Sequence, residues 1–284
     1  MIKLQNVCYV RLGTRDLEGA TRFATGILGL EVSDRGRDAH HFRSDQREHT
    51  LCYFDGDPQV QIAGFEVADK DDLDRAATAL ERLGRHVHVG TREEAAARMV
   101  REFIGFSDPT GNRIELAWRP AVSGTRYRGT RDAGITGFSH IGLCTTDAAR
   151  DEAFWTTVCN ARVSDRIGDA ALLRIDAVHH SIALFPTDRP GIQHINHQVE
   201  TGDDVMRSLH FLRERGVNIT FGPGRHPSSS AKFLYFEGPE GMVFEYSSGV
   251  RSIADELLYR ERQLPRDPRG FCQWGAVSRI REFG

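Results

Sequence analysis

The sequence predicts an α+β protein of two domains, built by tandem duplication of paired βαβββ modules. Three segments of the first half recur in the second half. Residues 9–16 match 140–147, residues 62–67 match 194–199, and residues 106–115 match 236–245. The three offsets are 131, 132 and 130 residues. An offset that stays constant within two residues indicates a repeated structural unit.

The first module of each half opens with a short strand that runs into an aspartate. Residues 9–16 read Tyr-Val-Arg-Leu-Gly-Thr-Arg-Asp, and residues 140–147 read His-Ile-Gly-Leu-Cys-Thr-Thr-Asp. A helical stretch with aromatic residues follows in both halves, with Phe23 in the first and Phe154 in the second. This pattern predicts a strand followed directly by a helix.

The second module of each half begins with the strand 62–67 or 194–199. Acidic residues and an amphipathic helix follow, and Gly84 and Gly216 are the signals for the ends of these helices. A Pro-x-Gly turn at 109–111 and again at 239–241 then predicts a hairpin whose second strand carries a glutamate. Each half therefore reads as two successive strand–helix–strands modules.

A polar, Arg-rich stretch at 119–136 separates the two halves and predicts the linker. We expect residues 1–130 to form a metal-free structural domain. We expect residues 131–284 to form a catalytic domain that includes a C-terminal tail outside the repeat. Within this tail, residues 255–262 predict one short helix.

Composition and charge exclude several classes of function. The chain has 39% hydrophobic and 27% charged residues, as ordinary globular proteins have, and its net charge of −3 favours neither nucleic acid nor an anionic membrane as partner. Neither a signal peptide nor a membrane-spanning apolar run is expected. The five cysteines are scattered without a CxxC pair, which favours a reducing cytoplasm over a disulfide framework or a thiolate zinc site.

The three equivalent strand positions hold two imidazoles and one carboxylate only in the second half, as His140, His194 and Glu245. The first half has tyrosine at position 9, isoleucine at position 62 and glutamate at position 115. Two histidines and one carboxylate form the facial triad of non-haem Fe(II) sites, which leaves three coordination positions open. Each histidine alone could instead be a core residue. The matched positions favour a metal site.

Strand alternation sorts the neighbouring histidines. His197 faces away from His194, and we interpret it as a packed or surface residue. In the stretch 178–184, alternation places His180 on the inward face with Ile182 and Leu184, while His179 points away. An inward histidine beside a metal site is a candidate acid–base group. The alternative is a structural core histidine.

Two further residues lie in a region rich in turns. His226 ends the loop Gly222-Pro-Gly-Arg-His226, and Tyr235 lies on the strand that follows. Both could reach the same site. Their spacing alone does not separate a function from ordinary packing.

The chain resembles a type I extradiol, ring-cleaving dioxygenase of the vicinal oxygen chelate superfamily, in the 2,3-dihydroxybiphenyl and catechol 2,3-dioxygenase group. The resemblance covers about residues 7 to 248. It rests on Ser139-His140-Ile, His179-His180-Ser-Ile-Ala-Leu184, His194-Ile-x-x-x-Val-Glu200, Gly222-Pro-Gly-Arg-His226, Tyr235 and Phe244-Glu245-Tyr246.

The resemblance implies the glyoxalase-like fold and a metal-free first half. It also implies that His140, His194 and Glu245 hold Fe(II), in preference to Mn(II). His180 would be the acid–base histidine, and His226 and Tyr235 would bond the substrate oxygens. The implied partners are a catechol-type substrate, O2 and further copies of the chain in a homo-oligomer. The implied process is aromatic compound catabolism.

Two departures from the family pattern concern substrate choice. Pro-Ser-Ser-Ser follows His226, and the C-terminal tail matches no segment of the family pattern. Two other functions also use this architecture. One is a glyoxalase-type metal-dependent lyase or isomerase, and the other is a non-catalytic protein that binds a small molecule. Metal identity and O2 uptake discriminate among the three.

Overall fold

The fold of residues 1–283, described by a computed structural model, consists of two mixed β-sheets, one for each half of the repeat. The first half contains, in chain order, β1 (Leu4–Thr14), α1 (Leu17–Gly26), β2 (Glu31–Arg35), β3 (Ala39–Arg43), β4 (Leu51–Asp55), β5 (Gln61–Val67), α2 (Lys70–Arg82), β6 (His88–Val89), α3 (Arg92–Ala96), β7 (Val100–Ser107) and β8 (Arg113–Pro120).

The second half repeats this order of elements. It contains β9 (Ile135–Thr145), α4 (Ala148–Ala153) continued by a π-helical turn (Phe154–Val158), β10 (Arg162–Ile167), β11 (Ala170–Arg174), β12 (Ile182–Pro186), β13 (Ile192–Val199), α5 (Gly202–Glu214), β14 (Ile219–Arg225), β15 (Lys232–Glu237) and β16 (Val243–Ser248). The tail adds β17 (Arg262–Leu264) and α6 (Pro268–Phe271).

Both sheets have the same strand order. The first runs β2-β3-β4-β1-β5-β8-β7-β6, and the second runs β10-β11-β12-β9-β13-β16-β15-β14, with β17 added at the edge of β10. In each sheet the opening strands of the two modules pair antiparallel at the centre, β1 with β5 and β9 with β13. The predicted α+β class with a tandem duplication of βαβββ modules is thereby confirmed.

The recurring aspartate after each opening strand is a helix N-cap. The side chain of Asp16 accepts from the backbone N–H of Gly19, and that of Asp147 accepts from the N–H of Arg150. Such a bond satisfies one of the amides that the first helical turn leaves unpaired. The matched aspartates therefore stop the strand and start the helix at the same point in both halves.

One hydrophobic core joins the two halves. The ring of Phe65 lies 5.4 Å from that of Trp155, and the ring of Phe23 lies 5.3 Å from that of Phe244. Since these aromatic contacts cross from one half to the other, each half covers apolar surface of its partner.

The predicted helix at 255–262 is wrong. Residues 256–258 form a turn, and β17 at Arg262–Leu264 pairs parallel with β10. The Tyr259 hydroxyl and the Arg262 guanidinium both bond to Asp165 on β10, so tertiary contacts override the local helical preference. No helix within residues 1–283 is long and apolar enough to cross a membrane.

Candidate metal centre

Three neighbouring strands carry the candidate ligands. His140 lies on β9, His194 on the central β13 and Glu245 on β16. Asn196 of β13 is the register partner of both His140 and Glu245, so these two side chains start from the same level of the sheet. His194 stands two residues earlier on β13 and completes a triangle. The structure thus brings the three predicted ligands together.

A glycine on β9 makes room for the imidazole of His194. Gly142 is the register partner of His194, and a Cβ atom at position 142 would lie only 2.4 Å from His194 Nδ1. No side chain fits at that distance. The missing side chain lets the ring lie across β9, so that its Nε2 faces His140.

The ligand atoms converge at distances that suit a bound cation. His140 Nε2 is 3.1 Å from His194 Nε2 and 3.0 Å from Glu245 Oε2, and His194 Nε2 is 3.6 Å from the same oxygen. Two ligands that each lie ~2.1 Å from one metal ion, at right angles to each other, are ~3 Å apart. The observed triangle therefore fits one metal ion.

The hydrogen bonding around the triangle also fits a metal. Neither carboxylate oxygen of the buried Glu245 has a hydrogen bond of good geometry, although imidazole nitrogens lie close to both. His194 Nδ1–H donates to Gln193 Oε1 at 2.5 Å, which leaves the lone pair of Nε2 directed at the centre. A cation would satisfy both the carboxylate and this lone pair.

The surroundings favour an ionised Glu245 and a neutral His194. Burial acts to raise the pKa of Glu245, but the neighbouring His140, His226 and His194 hold this pKa well below its usual range. Burial lowers the pKa of His194 to about 3, although Glu245 opposes the shift. These are the protonation states that a divalent ion needs in its ligands.

His180 lies in the site, but not for the reason that strand alternation gave. The chain is irregular before β12, which begins at Ile182, so the alternation did not apply. Ile182 and Leu184 belong to the main core, whereas His180 lines a cavity together with Ala183 and Phe185. Its ring is 4.2 Å from that of His140, and burial lowers its pKa well below the usual value. A neutral imidazole beside the triangle can take up a proton.

His179 is not among the residues that line the cavity, but it contacts His180, which does line it. The side chain of His179 is fully buried, and its Nδ1 lies 3.1 Å from Nδ1 of His180. Its Nε2 lies 2.9 Å from Oδ2 of Asp165. His197, by contrast, is packed between Phe138 and Phe244 on the opposite face of β13, as the alternation predicted.

The structure also brings His226 and Tyr235 to the centre. Tyr235 on β15 is the register partner of Glu245, and its hydroxyl lies 3.1 Å from His226 Nε2. Nδ1–H of His226 donates to the carbonyl oxygen of Phe271 at 2.8 Å. His226 Nε2 therefore accepts from the tyrosine hydroxyl and faces Glu245 Oε1 at 3.6 Å.

A small cavity of about 20 Å³ adjoins the centre, and Phe271 and Phe283 of the C-terminal tail are among the residues that line it. Phe283 lies 4.8 Å from Phe185, 5.5 Å from Tyr235 and 5.1 Å from Phe271, measured between ring centroids. Neither tail phenylalanine could be assigned to the site from the sequence, because the tail lies outside the repeat. The described residues that line this cavity include neither lysine nor arginine.

In the first half, side-chain hydrogen bonds and an ion pair take the position of the ligand triangle. The Tyr9 hydroxyl donates to Glu115 Oε2 at 2.7 Å, and the Arg98 guanidinium binds both oxygens of the same carboxylate at 2.6 to 2.8 Å. Ile62 supplies no ligand atom. Among residues 1–283, His140, His194 and Glu245 form the one cluster of three potential ligands.

The duplicated βαβββ fold therefore has two unequal sites. One holds the Arg98–Glu115 ion pair, and the other is a triangle of two histidines and one carboxylate that fits a divalent metal ion. The chain belongs to the Glyoxalase/Bleomycin resistance protein/Dioxygenase superfamily, whose sequence profile matches residues 7–116 and again 137–246. The two matches coincide with the two halves of the repeat.

Similar proteins include several ring-cleaving dioxygenases, in agreement with the resemblance. An iron-dependent extradiol dioxygenase of Rhodococcus jostii is 28% identical, covering 96% of this chain and 97% of its own. A biphenyl-2,3-diol 1,2-dioxygenase of Paraburkholderia xenovorans is 27% identical, covering 98% and 96%. The crystal structure of BphC, a halotolerant catechol dioxygenase, superposes with a TM-score of 0.89 at 23% identity, covering 100% and 98%.

Proposed function

We propose that this protein is an Fe(II)-dependent extradiol dioxygenase that cleaves the aromatic ring of a catechol-type substrate with O2 in aromatic compound catabolism. The observation that carries the proposal is the His140–His194–Glu245 triangle, with a third histidine and a tyrosine–histidine pair around one cavity. The names of the similar proteins support the same activity. The superfamily hosts several chemistries, so the site and not the fold carries the argument.

His140, His194 and Glu245 would hold the metal. Fe(II) is proposed over Mn(II), because two histidines and one carboxylate are the ligands of non-haem ferrous oxygenases. When bound, the ion would supply coordination sites for the substrate and for O2 and would transfer electrons between them.

The remaining residues would bind the substrate and move protons. Tyr235 and His226 would bind the substrate oxygens. The tyrosine O–H, which now donates to His226, would turn to donate to one substrate oxygen, and His226 Nε2 would accept from a substrate hydroxyl. His180 would take the proton released as the diol binds and return it when the O–O bond breaks. The ring bond next to the diol would break, and both atoms of O2 would remain in the product.

The cavity wall supports an uncharged catechol as substrate. Phe185, Phe271 and Phe283 supply an aromatic surface, and the described lining residues include no cationic partner for a carboxylate substituent. Burial of a charged group without such a partner costs several kcal/mol, roughly. A methyl, alkyl or aryl substituent fits this wall better than an acidic one.

We further propose a role for each of the two domains, a cellular location and an oligomeric state. Residues 1–130 would be a metal-free structural domain, and residues 131–284 would be the catalytic domain. The five buried free cysteines support a cytoplasmic location. Exposed apolar side chains in the tail support assembly into a homo-oligomer, which light scattering would measure; they are Leu257, Leu258, Trp274 and Val277.

The test is anaerobic reconstitution with Fe(II), followed by mono- and bicyclic catechols under air. We expect oxygen uptake and a yellow ring-opened product with at least one uncharged catechol. Tight catechol binding without oxygen uptake would indicate a binding protein. Isomerase or lyase activity without oxygen uptake would indicate a glyoxalase-type enzyme.

A further inference from the structure

We infer that His179, held by Asp165, is a positioning residue that fixes the tautomer and the orientation of His180. The inference rests on the proposed function for its kinetic consequence, but its structural content can be tested without turnover. Asp165, His179 and His180 contact one another in series, from β10 to the cavity.

Asp165 is the first of these three residues and holds His179 in place. Its carboxylate is fully buried and accepts from Nε2–H of His179 at 2.9 Å. A carboxylate that accepts this proton fixes His179 as the Nε2–H tautomer, so the other nitrogen, Nδ1, carries a lone pair. The backbone N–H of His179 donates to the carbonyl oxygen of Arg251 at 2.9 Å, which holds the residue from a second side.

The lone pair on Nδ1 of His179 determines the tautomer of His180. Nδ1 of His179 lies 3.1 Å from Nδ1 of His180, and one of the two nitrogens must carry the proton. Because His179 is the acceptor, His180 donates from Nδ1–H. Its Nε2 therefore keeps the lone pair with which it can accept a proton in the cavity. A free neutral imidazole does not prefer this tautomer, so the contact has a chemical consequence.

Residues of the C-terminal tail hold the Asp165 carboxylate in place. Arg262 of β17 donates to Asp165 through its backbone N–H at 2.9 Å and through its guanidinium at 2.5 and 3.1 Å. The Tyr259 hydroxyl adds a bond of 3.2 Å to the same carboxylate. These donors keep Asp165 ionised inside the protein, so it cannot itself donate a proton to His179. The pairing of β17 with β10 thus supports the geometry of a residue inside the site.

The first measurement is histidine 15N NMR of the metal-free protein at about pH 8, where an imidazole is neutral. We expect His180 in the Nδ1–H form and His179 in the Nε2–H form. Two variants separate positioning from packing. Asparagine places an amide oxygen near the position of Nδ1 and keeps the acceptor, whereas phenylalanine keeps the ring and removes the acceptor. His179→Asn should retain the Nδ1–H form of His180, and His179→Phe should lose it.

The second measurement is steady-state turnover of the Fe(II)-loaded enzyme, with iron content determined for each variant. His179→Phe should lower kcat by about tenfold or more with an unchanged KM, in line with the loss of a tautomer-fixing group. His179→Asn should retain most of kcat. His197→Phe changes another fully buried histidine of the same half, and it should leave kcat unchanged.

A packing role predicts the opposite order, because phenylalanine fills the buried space and asparagine leaves a gap. Equal kcat in His179→Phe and wild type, or an Nε2–H form of His180 in the wild type, would overturn the inference. A wild type that shows the expected tautomers but no ring cleavage with any catechol would overturn the proposed function and leave the positioning assignment intact.

Discussion

The Tyr9 hydroxyl lies 2.7 Å from Glu115 Oε2, and these two residues stand where the second half has His140 and Glu245. The guanidinium of Arg98 lies against the same carboxylate. The Arg98 side chain is 13% exposed and that of Glu115 is 6% exposed. A fixed cation therefore takes the place that a metal ion would take in the other half. The first half thus neutralises its buried Glu115 with an arginine, whereas the equivalent Glu245 belongs to a site that fits a metal ion.

Replacement of this fixed cation should destabilise the first half. Arg98→Met leaves Glu115 buried without its partner, and we expect a loss on the order of 3 kcal/mol in the free energy of unfolding. Arg101→Met, which removes an exposed arginine on β7, is the matched control and should change the free energy little. Urea denaturation measures both. Equal stability of the two variants would mean that the ion pair contributes nothing.

Metal retention should depend on the second half alone. His140→Ala, His194→Ala and Glu245→Ala should each abolish retention of Fe(II), because each removes one of three ligands. Tyr9→Phe keeps the packing of the equivalent position in the first half, and this variant should bind iron like the wild type. Iron content after gel filtration is the measurement. Retention by His194→Ala together with loss in Tyr9→Phe would mean that the metal site lies in the first half.

His180 should affect turnover far more than binding. His180→Gln keeps a polar side chain of similar size that cannot act as acid and base, and we expect ring cleavage to slow by about 10²-fold. Iron content and catechol affinity should stay close to wild type. His210→Gln, a change at an exposed histidine of the same half, is the control. Equal, mild effects of the two substitutions would move the acid–base role to His226 or Tyr235.

Phe283, a tail residue that lines the cavity, should limit the size of the accepted substituent. Phe283→Ala removes a ring that packs on Phe185 and Tyr235, so the wall recedes. We expect kcat/KM for a bicyclic catechol, relative to unsubstituted catechol, to rise by about tenfold. Trp274→Ala removes an exposed aromatic ring from the same tail and should leave the ratio unchanged. The same ratio in Phe283→Ala and wild type would exclude the tail from specificity.

A buried histidine outside the site should make the protein sensitive to acid. Burial lowers the pKa of His197 to about 4, and both of its ring nitrogens lack hydrogen-bond partners. Between the ordinary value of 6.5 and this lowered value, the unfolded chain binds a proton that the folded chain does not. The free energy of unfolding therefore falls as the pH falls through this window.

The test of this acid sensitivity is the substitution His197→Phe. From about pH 7 to about pH 5, we expect this variant to lose about 2 kcal/mol less of its free energy of unfolding than the wild type. His210→Gln should follow the wild-type curve, because that side chain is exposed. Chemical denaturation at several pH values gives the comparison, and parallel curves for His197→Phe and wild type would contradict the assigned shift.

The repeat could be predicted from the sequence because its segments recur at a constant offset. The triangle could be predicted because its three residues stand at matched positions of that repeat. Residues on equivalent strands of a duplicated sheet converge, so His140, His194 and Glu245 needed no local motif. The orientation of His179 and His180 could not be derived in this way, because alternation holds only inside a strand, and β12 begins after them. His179, Tyr259 and Arg262, the partners of Asp165, lie 14, 94 and 97 residues away along the chain, at spacings that leave no local signal.

The measurement that tests the central claim most directly is ring cleavage by the Fe(II)-reconstituted protein under 18O2, with the product analysed by mass spectrometry. Both oxygen atoms of O2 should appear in the ring-opened product. His194→Ala, reconstituted in parallel, should form no labelled product. Product without label, or labelled product formed equally by His194→Ala, would contradict the assignment of the metal centre and its reaction.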